Sequence, residues 1–230
     1  MNKLTQIANE VFKPFIAIIG YKSDVSGQYY IGKRNIRNGK MGAEAPLSAK
    51  CIGQLVSAVS ADNDELDYGI RGIIPSNVLY CSVSIGNTKL IWYRPPEKRI
   101  LHFTSTTGIE DGEMWVPGLL YIAQNDTLRV LAFKGTKPRN ILYLAPFMNV
   151  DENHVCLGTA HVDKPKDNSF ANIIDYWEKM FWGSDFAHIL GRNPVKGNLA
   201  TLTKTCIANG EKFPSDQLIR IKTTLKDILK

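Results

Sequence analysis

The chain has 230 residues, 44% of them hydrophobic, and a formal net charge of +6 at pH 7. This length and hydrophobic content can bury one sizeable core, so we expect one domain with or without extensions. No apolar run is long enough to span a membrane and the first residues lack a signal-peptide pattern, so we expect a cytoplasmic protein. The four cysteines lie far apart without a Cys-x-x-Cys pair, which favours reduced thiols over disulfides or a zinc ribbon.

The N-terminal region contains alternating signals for helices and strands. Residues 1–12 have helical spacing, and the apolar, β-branched segment 15–21 predicts a strand that pairs with residues 28–31. A second helix is predicted after Ser48, which is a plausible N-cap before a regular apolar stripe.

The densest basic stretch spans residues 32–40. Its basic side chains allow a contact with phosphate or with an acidic partner. Its glycines and asparagines are more typical of a solvated hairpin, and no aromatic residue is interleaved to stack on bases. The sequence therefore predicts a solvated hairpin or loop here and gives no support to single-stranded nucleic-acid binding.

From residue 75 onward the pattern changes to short strands separated by turn signals. Consecutive strands with tight connections predict an antiparallel meander, half-buried on one face. Cys81 and His102 fall within these strands, where we expect a buried thiol and a hydrogen-bonded histidine. The predicted strands are residues 77–83, 89–93, 99–103, 115–123 and 127–133.

Helices and one further strand are predicted after residue 158. Ser169 is a plausible N-cap for a helix that packs on the sheet through Ile173, Trp177 and Phe181. Residues 199–206 are interpreted as a last strand or an extended arm. A final helix is predicted from Pro214, with four apolar side chains on one face: Leu218, Ile221, Leu225 and Ile228.

The segment 140–158 contains the residue with the clearest chemical potential, Cys156. An apolar run over residues 141–144 predicts a strand that stops before Pro146, and a polar turn then leads to the cysteine. A thiol just past an exposed turn can be reached and its thiolate stabilised by nearby amides. The alternative is that Cys156 is a small core residue, as most free cysteines are.

Two segments of the chain resemble the ubiquitin-conjugating-enzyme superfamily. Ala-Pro-Phe-Met-Asn-Val followed by Val-Cys-Leu-Gly, over residues 145–158, looks like the active-site segment, in which a His-Pro-Asn turn leads to a catalytic Cys. The closer resemblance is to a bacterial branch, the PRTRC system protein B family, which has Ala-Pro in place of His-Pro and a later Trp-rich segment ending in Phe-x-His. Residues 177–188 match that second segment, and the resemblance covers residues 77–191.

The resemblance implies a role for individual residues. Cys156 would be the nucleophile, Asn149 the oxyanion or loop-ordering amide, and His188 the histidine that assists from downstream. Two histidines close to Cys156 in sequence, His161 and His154, are alternatives to His188. The chain departs from the superfamily pattern because no histidine precedes the proline and two residues separate that proline from Asn149.

A metal site formed by His154, Cys156 and His161 is an alternative to this interpretation. The spacing matches no structural zinc pattern, and no fourth ligand is evident in the sequence. We therefore expect neither a metal nor an organic cofactor.

The resemblance implies an α+β fold: a ubiquitin-conjugating-like core over residues 76–191, with an N-terminal extension (1–75) packed on it and a C-terminal extension (192–230) ending in a helix. The implied function is to accept a ubiquitin-like modifier from a ubiquitin-activating-type enzyme as a thioester and to pass it to an amine. Two alternatives stay open. One is a binding platform for such a modifier without chemistry, and the other is an accessory factor of a plasmid or mobile-element system.

Overall fold

A computed structural model describes residues 13–48, 69–84, 87–158, 160–165 and 167–230. The helices predicted for residues 1–12 and after Ser48 lie outside this described part. By its internal contacts the chain divides into two compact units, Met1–Asp67 and Tyr68–Lys230. The predicted extension boundaries at residues 75 and 191 stay predictions.

The described part of the first unit is a three-stranded antiparallel sheet in the order β1-β2-β3. Its turn between β2 and β3 is formed by Asn38 and Gly39, both with positive φ, as a tight hairpin requires. The Arg34 guanidinium lies 2.8 Å from the Glu44 carboxylate across the sheet. Of the hairpin or loop predicted for residues 32–40, the structure shows the hairpin. The strands are β1 (Ile16–Lys22), β2 (Tyr29–Arg37) and β3 (Lys40–Pro46).

The described part of the second unit is built on a six-stranded antiparallel sheet. Its order is β11-β10-β9-β8-β5-β4, so β4 and β11 form the two edges. The strands are β4 (Val78–Ser84), β5 (Asn87–Arg94), β8 (Gly118–Gln124), β9 (Thr127–Phe133), β10 (Ile141–Leu144) and β11 (Arg220–Thr224). The α+β class and the antiparallel character predicted from the sequence are confirmed.

A separate hairpin interrupts the predicted meander. β6 (Glu97–Leu101) and β7 (Gly112–Val116) pair with each other in a two-stranded sheet of their own, and β5 pairs directly with β8. The single strand predicted over residues 115–123 is therefore two strands. The break falls at Pro117, which has no N–H to donate to a ladder, and Gly118 then approaches Phe133 too closely for a Cβ.

The prediction that the sheet is buried on one face only is wrong. Alternate residues of β8 belong to two different buried clusters, with Tyr121 in one and Leu120 and Ile122 in the other. Apolar residues at consecutive positions, rather than at alternate ones, are typical of strands covered on both faces. The run Gly118–Ala123 is buried throughout.

The helix predicted after Ser169 is confirmed as α1 (Phe170–Trp182). The Ser169 side chain accepts a hydrogen bond of 3.3 Å from the Asn172 backbone N–H, which is the predicted N-cap. Its apolar face packs on the sheet, because the Phe181 ring is fully buried and meets Tyr121 edge-on at 6.1 Å. The other two predicted packing residues, Ile173 and Trp177, contact the same cluster.

The C-terminal predictions are corrected in two places. Residues 199–206 lie in a helix, α2 (Leu199–Asn209), whose N-cap Asn198 accepts from the Thr201 N–H and whose Gly210 ends it in the left-handed conformation. The four apolar residues predicted on one helix are divided instead: Leu218 follows a short 3-10 turn, Ile221 lies in β11, and Leu225 and Ile228 lie in a short helix, α3 (Leu225–Ile228). Pairing with β10 and the Thr224 cap outweigh the helical spacing.

The structure corrects the prediction for Cys81 and confirms the one for His102. Cys81 is exposed rather than buried, since it lies on the edge strand β4. His102 follows β6, and its Nδ1 lies 2.8 Å from Asp111 Oδ2, so the prediction of a hydrogen-bonded histidine is confirmed.

Candidate active site

The turn after β10 folds back as a tight hairpin that ends at Cys156. Asn149 begins it with a φ of 59°, a left-handed conformation that asparagine tolerates better than most residues. Val150 and Val155 then form an antiparallel bridge, and both are buried. The Val155 N–H donates to the Leu128 carbonyl of β9, which fixes the hairpin on the sheet. The position of Cys156 is therefore set by backbone hydrogen bonds.

Asp151 stabilises the tip of this hairpin. Its carboxylate accepts hydrogen bonds from the backbone N–H groups of Asn153 and His154, at 2.6 and 2.9 Å. Partial burial raises the pKa of Asp151, but these hydrogen bonds and the neighbouring His154 outweigh it, so the pKa lies below its ordinary value. The ionised carboxylate thus stabilises the turn that precedes the cysteine.

Cys156 is half-buried, and its backbone N–H donates to the Asn149 carbonyl at 2.8 Å. Cys206, by contrast, is buried on α2 with 3% of its surface exposed. Burial raises the pKa of the Cys206 thiol, and the Glu211 carboxylate adds to that rise. Of these two thiols, Cys156 is the one that a macromolecular substrate can reach.

The Asn149 amide ties this hairpin to the segment that contains His188. Its Nδ2 donates to the Asp185 carbonyl at 2.8 Å, and its Oδ1 accepts from the N–H groups of Ala187 and His188 at 3.1 and 3.2 Å. The Asn149 backbone N–H also donates to the His188 carbonyl at 2.8 Å. Because the side chain is only 3% exposed and these bonds occupy it, its geometry favours the loop-ordering role over the oxyanion role.

An aromatic cluster joins the same two segments. Phe147 stacks on Phe186 with ring centroids 5.7 Å apart, and it meets Phe181 and Trp182 edge-on at 5.7 and 5.5 Å. Such pairs add to the free energy gained by burying the rings. The turn before Cys156 and the Trp-rich segment, the two sequence motifs, therefore form one packed unit.

The three candidate histidines are all exposed but differ in their connections. His188 is hydrogen-bonded through its backbone to Asn149, which also binds the backbone of Cys156. His154 Nδ1 lies 3.1 Å from Asp151 Oδ1 at the hairpin tip. His161 follows Cys156 by five positions in the loop before α1. The backbone geometry brings Cys156, Asn149 and His188 together in one arrangement.

The described residues contain no group of three or more His, Cys, Asp or Glu side chains arranged to hold a metal ion. Within the same residues, no helix combines the length and the hydrophobicity needed to cross a bilayer.

Comparison with known protein families shows the family of the chain. The family model described as prokaryotic E2 family D matches residues 52–221. The chain belongs to prokaryotic E2 family D. This family membership makes the chain a ubiquitin-conjugating-like protein, and the matched range includes the positions of Cys156, Asn149 and His188. A comparison with curated proteins found no match, and neither did a comparison with solved structures.

Two residues that fix the candidate site of this family D protein, Phe147 and Asp151, are not predicted to do so from the sequence. In the sequence Phe147 is one of the two residues that separate Pro146 from Asn149, and in the structure it is the centre of the aromatic cluster. Asp151 was one polar residue in a turn. The spacing Asp-x-Asn-His, in which an aspartate caps the next backbone N–H groups, is a local signal that predicts such a turn.

Proposed function

We propose that this ubiquitin-conjugating-like protein accepts a ubiquitin-like modifier as a thioester on Cys156 and passes it to an acceptor amine. The observation that carries the proposal is the Asn149 amide, which holds the half-buried Cys156 hairpin against the segment of His188. Thioester transfer requires a reachable thiol in a fixed backbone and a base close to it. The partners are a ubiquitin-like modifier and a ubiquitin-activating-type enzyme that uses ATP to activate it.

Loading is a thioester exchange without net oxidation. The Cys156 thiolate attacks the carbonyl carbon of the modifier's C-terminus, which is held as a thioester on the activating enzyme. A new carbon–sulfur bond forms at Cys156, the former one breaks, and the activating enzyme's thiolate leaves. The half-exposed position of Cys156 at the end of a hairpin suits an exchange between two proteins.

Transfer replaces the thioester with an amide. The acceptor nitrogen attacks the same carbonyl carbon, the carbon–sulfur bond breaks, and Cys156 leaves as a thiolate. The proton lost by the amine goes to a base, for which His188 is our first assignment and His161 the second. Asn149 is a positioning residue in this scheme, because its buried amide acts on the backbone of both segments rather than on the reacting atoms.

Two finer assignments belong to the same proposal. The Ala-Pro turn and the later Trp-rich segment support membership of the PRTRC system protein B branch, and the packing of Phe147 on Phe186 explains why the two motifs would occur together. We also propose that the reaction takes place in the cytoplasm, where thiols stay reduced.

The experiment is to incubate the full chain with activating enzyme, ATP and modifier and to separate the products on a non-reducing gel. We expect an adduct that disappears on adding reductant and that is absent in Cys156→Ala. The matched controls Cys81→Ala and Cys206→Ala should retain it. His188→Gln should slow transfer to the amine more than loading, because a base is needed only where a proton leaves.

Each remaining outcome has a defined meaning. If the modifier binds without any adduct under full activating conditions, the protein is a binding platform and the proposal is wrong. If an adduct forms equally on Cys156→Ala, the chemistry is located elsewhere. A salt-sensitive complex with DNA in the absence of an adduct would favour the accessory-factor alternative.

A further inference from the structure

A cavity of about 770 Å³ opens beside the connection between β9 and β10. Three basic side chains of that connection line it, Lys134, Lys137 and Arg139, together with Ile141 and Tyr143 of β10. Its volume lies within the range of clefts that hold small ligands or peptide side chains. No acidic residue is among its described lining residues.

The edge strand β11 adds two more cations to the same side of the sheet. Arg220 is paired with Tyr143 in the register of β10 and β11, and paired residues of neighbouring strands share a face. Ile221 is buried on the opposite face, so the alternating side chains of Arg220 and Lys222 point to the side of the cavity. We call Lys134, Lys137, Arg139, Arg220 and Lys222 the basic rim.

The basic rim is not neutralised within the described part of the chain. None of its members forms an ion pair there, whereas the buried Glu178 alone binds both Arg94 and Arg99, at 2.8 and 3.3 Å. A cluster of like charges on a folded surface raises the free energy through mutual repulsion, which an acidic partner relieves. The rim is therefore complementary to a strongly negative surface.

We propose that the basic rim and the cavity bind an acidic polypeptide segment that carries an apolar side chain as an anchor. The carboxylates would pair with the rim, and the anchor would cover Ile141, which is 44% exposed although it lies within a strand of the central sheet. An interface with a small apolar centre and a charged border is typical of protein recognition. This site is independent of the proposed chemistry at Cys156.

The lining favours a polypeptide over a single-stranded nucleic acid. Single-stranded nucleic acids are bound by aromatic faces on which bases stack, and Tyr143 is the only aromatic residue in the described lining. The Lys134 ammonium lies 4.9 Å from the centroid of that ring, so the face is already in a cation–π contact. The exposed Ile141 beside it cannot stack on a base, but it can pack against an apolar side chain.

The test is a binding titration of the full chain with a fluorescent short peptide that alternates glutamate and leucine. The same peptide with glutamine in place of glutamate is the charge control, and a single-stranded oligonucleotide of equal charge is the nucleic-acid arm. We expect Lys137→Glu with Arg139→Glu to weaken peptide binding at least about tenfold, since attraction becomes repulsion. Ile141→Ser should weaken it about threefold, because the anchor loses its contact.

The matched control is Lys164→Glu with Lys204→Glu, which makes the same charge change at exposed positions outside the cavity. It should change the affinity less than about twofold. If the reversed protein does not fold, the neutral variant Lys137→Gln with Arg139→Gln replaces it and should give an intermediate loss. Absence of peptide binding, equal losses in both charge-reversal proteins, or tighter binding of the oligonucleotide would each overturn the proposal.

Discussion

The two ends of β10 contrast in how completely their polar groups are partnered. At its C-terminal end the chain enters a buried turn in which Phe147 and Asn149 have aromatic and hydrogen-bonding partners on the segment 181–188. At its N-terminal end the chain leaves an exposed connection with three cations that have no described carboxylate partner. The four-residue strand β10 thus connects an exposed segment whose cations have no described carboxylate partner to a buried turn whose polar groups are hydrogen-bonded.

Residues at the C-terminal end of β10 therefore stabilise the fold, and those at its N-terminal end are available to bind a partner. Buried polar groups cost free energy unless they are hydrogen-bonded, so the complete set of bonds around Asn149 stabilises the protein by itself. Exposed lysines and arginines remain hydrated without partners, and clustering them does not stabilise the fold, because like charges repel. We expect substitutions at the first end to change stability and substitutions at the second to change binding.

The largest expected effect is on the aromatic cluster. Phe147→Ala should lower the free energy of unfolding by about 4 kcal/mol, because a buried ring is lost and a cavity is left among Phe181, Trp182 and Phe186. Phe147→Leu, which keeps most of the volume, should cost only about 1 to 2 kcal/mol. Denaturant unfolding measures both, and equal small losses would show that the cluster does not stabilise the turn.

The next effect concerns the buried amide. Asn149→Ala should cost about 3 kcal/mol, since the N–H groups of Ala187 and His188 would lose their acceptor and alanine disfavours a φ of 59°. Asn149→Gly removes the same amide but tolerates that φ. It should be less destabilising than alanine by about 0.5 to 1 kcal/mol. If the glycine variant were as stable as the native protein, the amide bonds would contribute nothing.

A smaller effect depends on pH at the hairpin tip. The folded protein holds the pKa of Asp151 below its ordinary value, so its ionised form stabilises the fold at neutral pH. That stabilisation is present above about pH 4 and is lost as the pH falls through the lowered pKa. The stability difference between the native protein and Asp151→Asn should therefore shrink in acid. A difference that is constant across pH would contradict this assignment.

The smallest effect on stability is expected at the open end of β10. Lys137→Glu with Arg139→Glu should not lower the denaturation midpoint, because neither side chain has a described ion pair to lose and the change reduces repulsion within the basic rim. Thermal unfolding alongside the Phe147 variants is the measurement. A large loss here would show that these cations stabilise the fold, and the contrast between the two ends would be wrong.

The sequence predicted local elements better than the relations between them. The Ser169 cap and the apolar periodicity were sufficient for α1, and the short β-rich runs were sufficient for most strands. The departure of β6 and β7 from the main sheet was not predictable from spacing, since pairing partners are set by tertiary packing. The prediction of a single helix from Pro214 was wrong for the same reason, because the pairing of β11 with β10 outweighed the helical spacing.

The candidate site was predicted as a set of residues but not as an arrangement. Resemblance pointed to Cys156, Asn149 and His188 in the same chain. Their proximity depends on hydrogen bonds between residues about forty positions apart, and no local pattern contains that information. The contribution of Phe147 was hidden for the same reason, since a phenylalanine after Ala-Pro reveals neither its rotamer nor its partners.

The most direct test of the central claim, that Cys156 is the acceptor, is to map the linkage in Cys156→Ser. An oxyester is much more resistant to reductant than a thioester, so the serine protein treated with activating enzyme, ATP and modifier can be digested and analysed by mass spectrometry. We predict that the modifier's C-terminus is found joined to the side chain at position 156, with Cys81 and Cys206 unmodified. An adduct on another residue of Cys156→Ser, together with normal loading of Cys156→Ala, would show that Cys156 is not the acceptor.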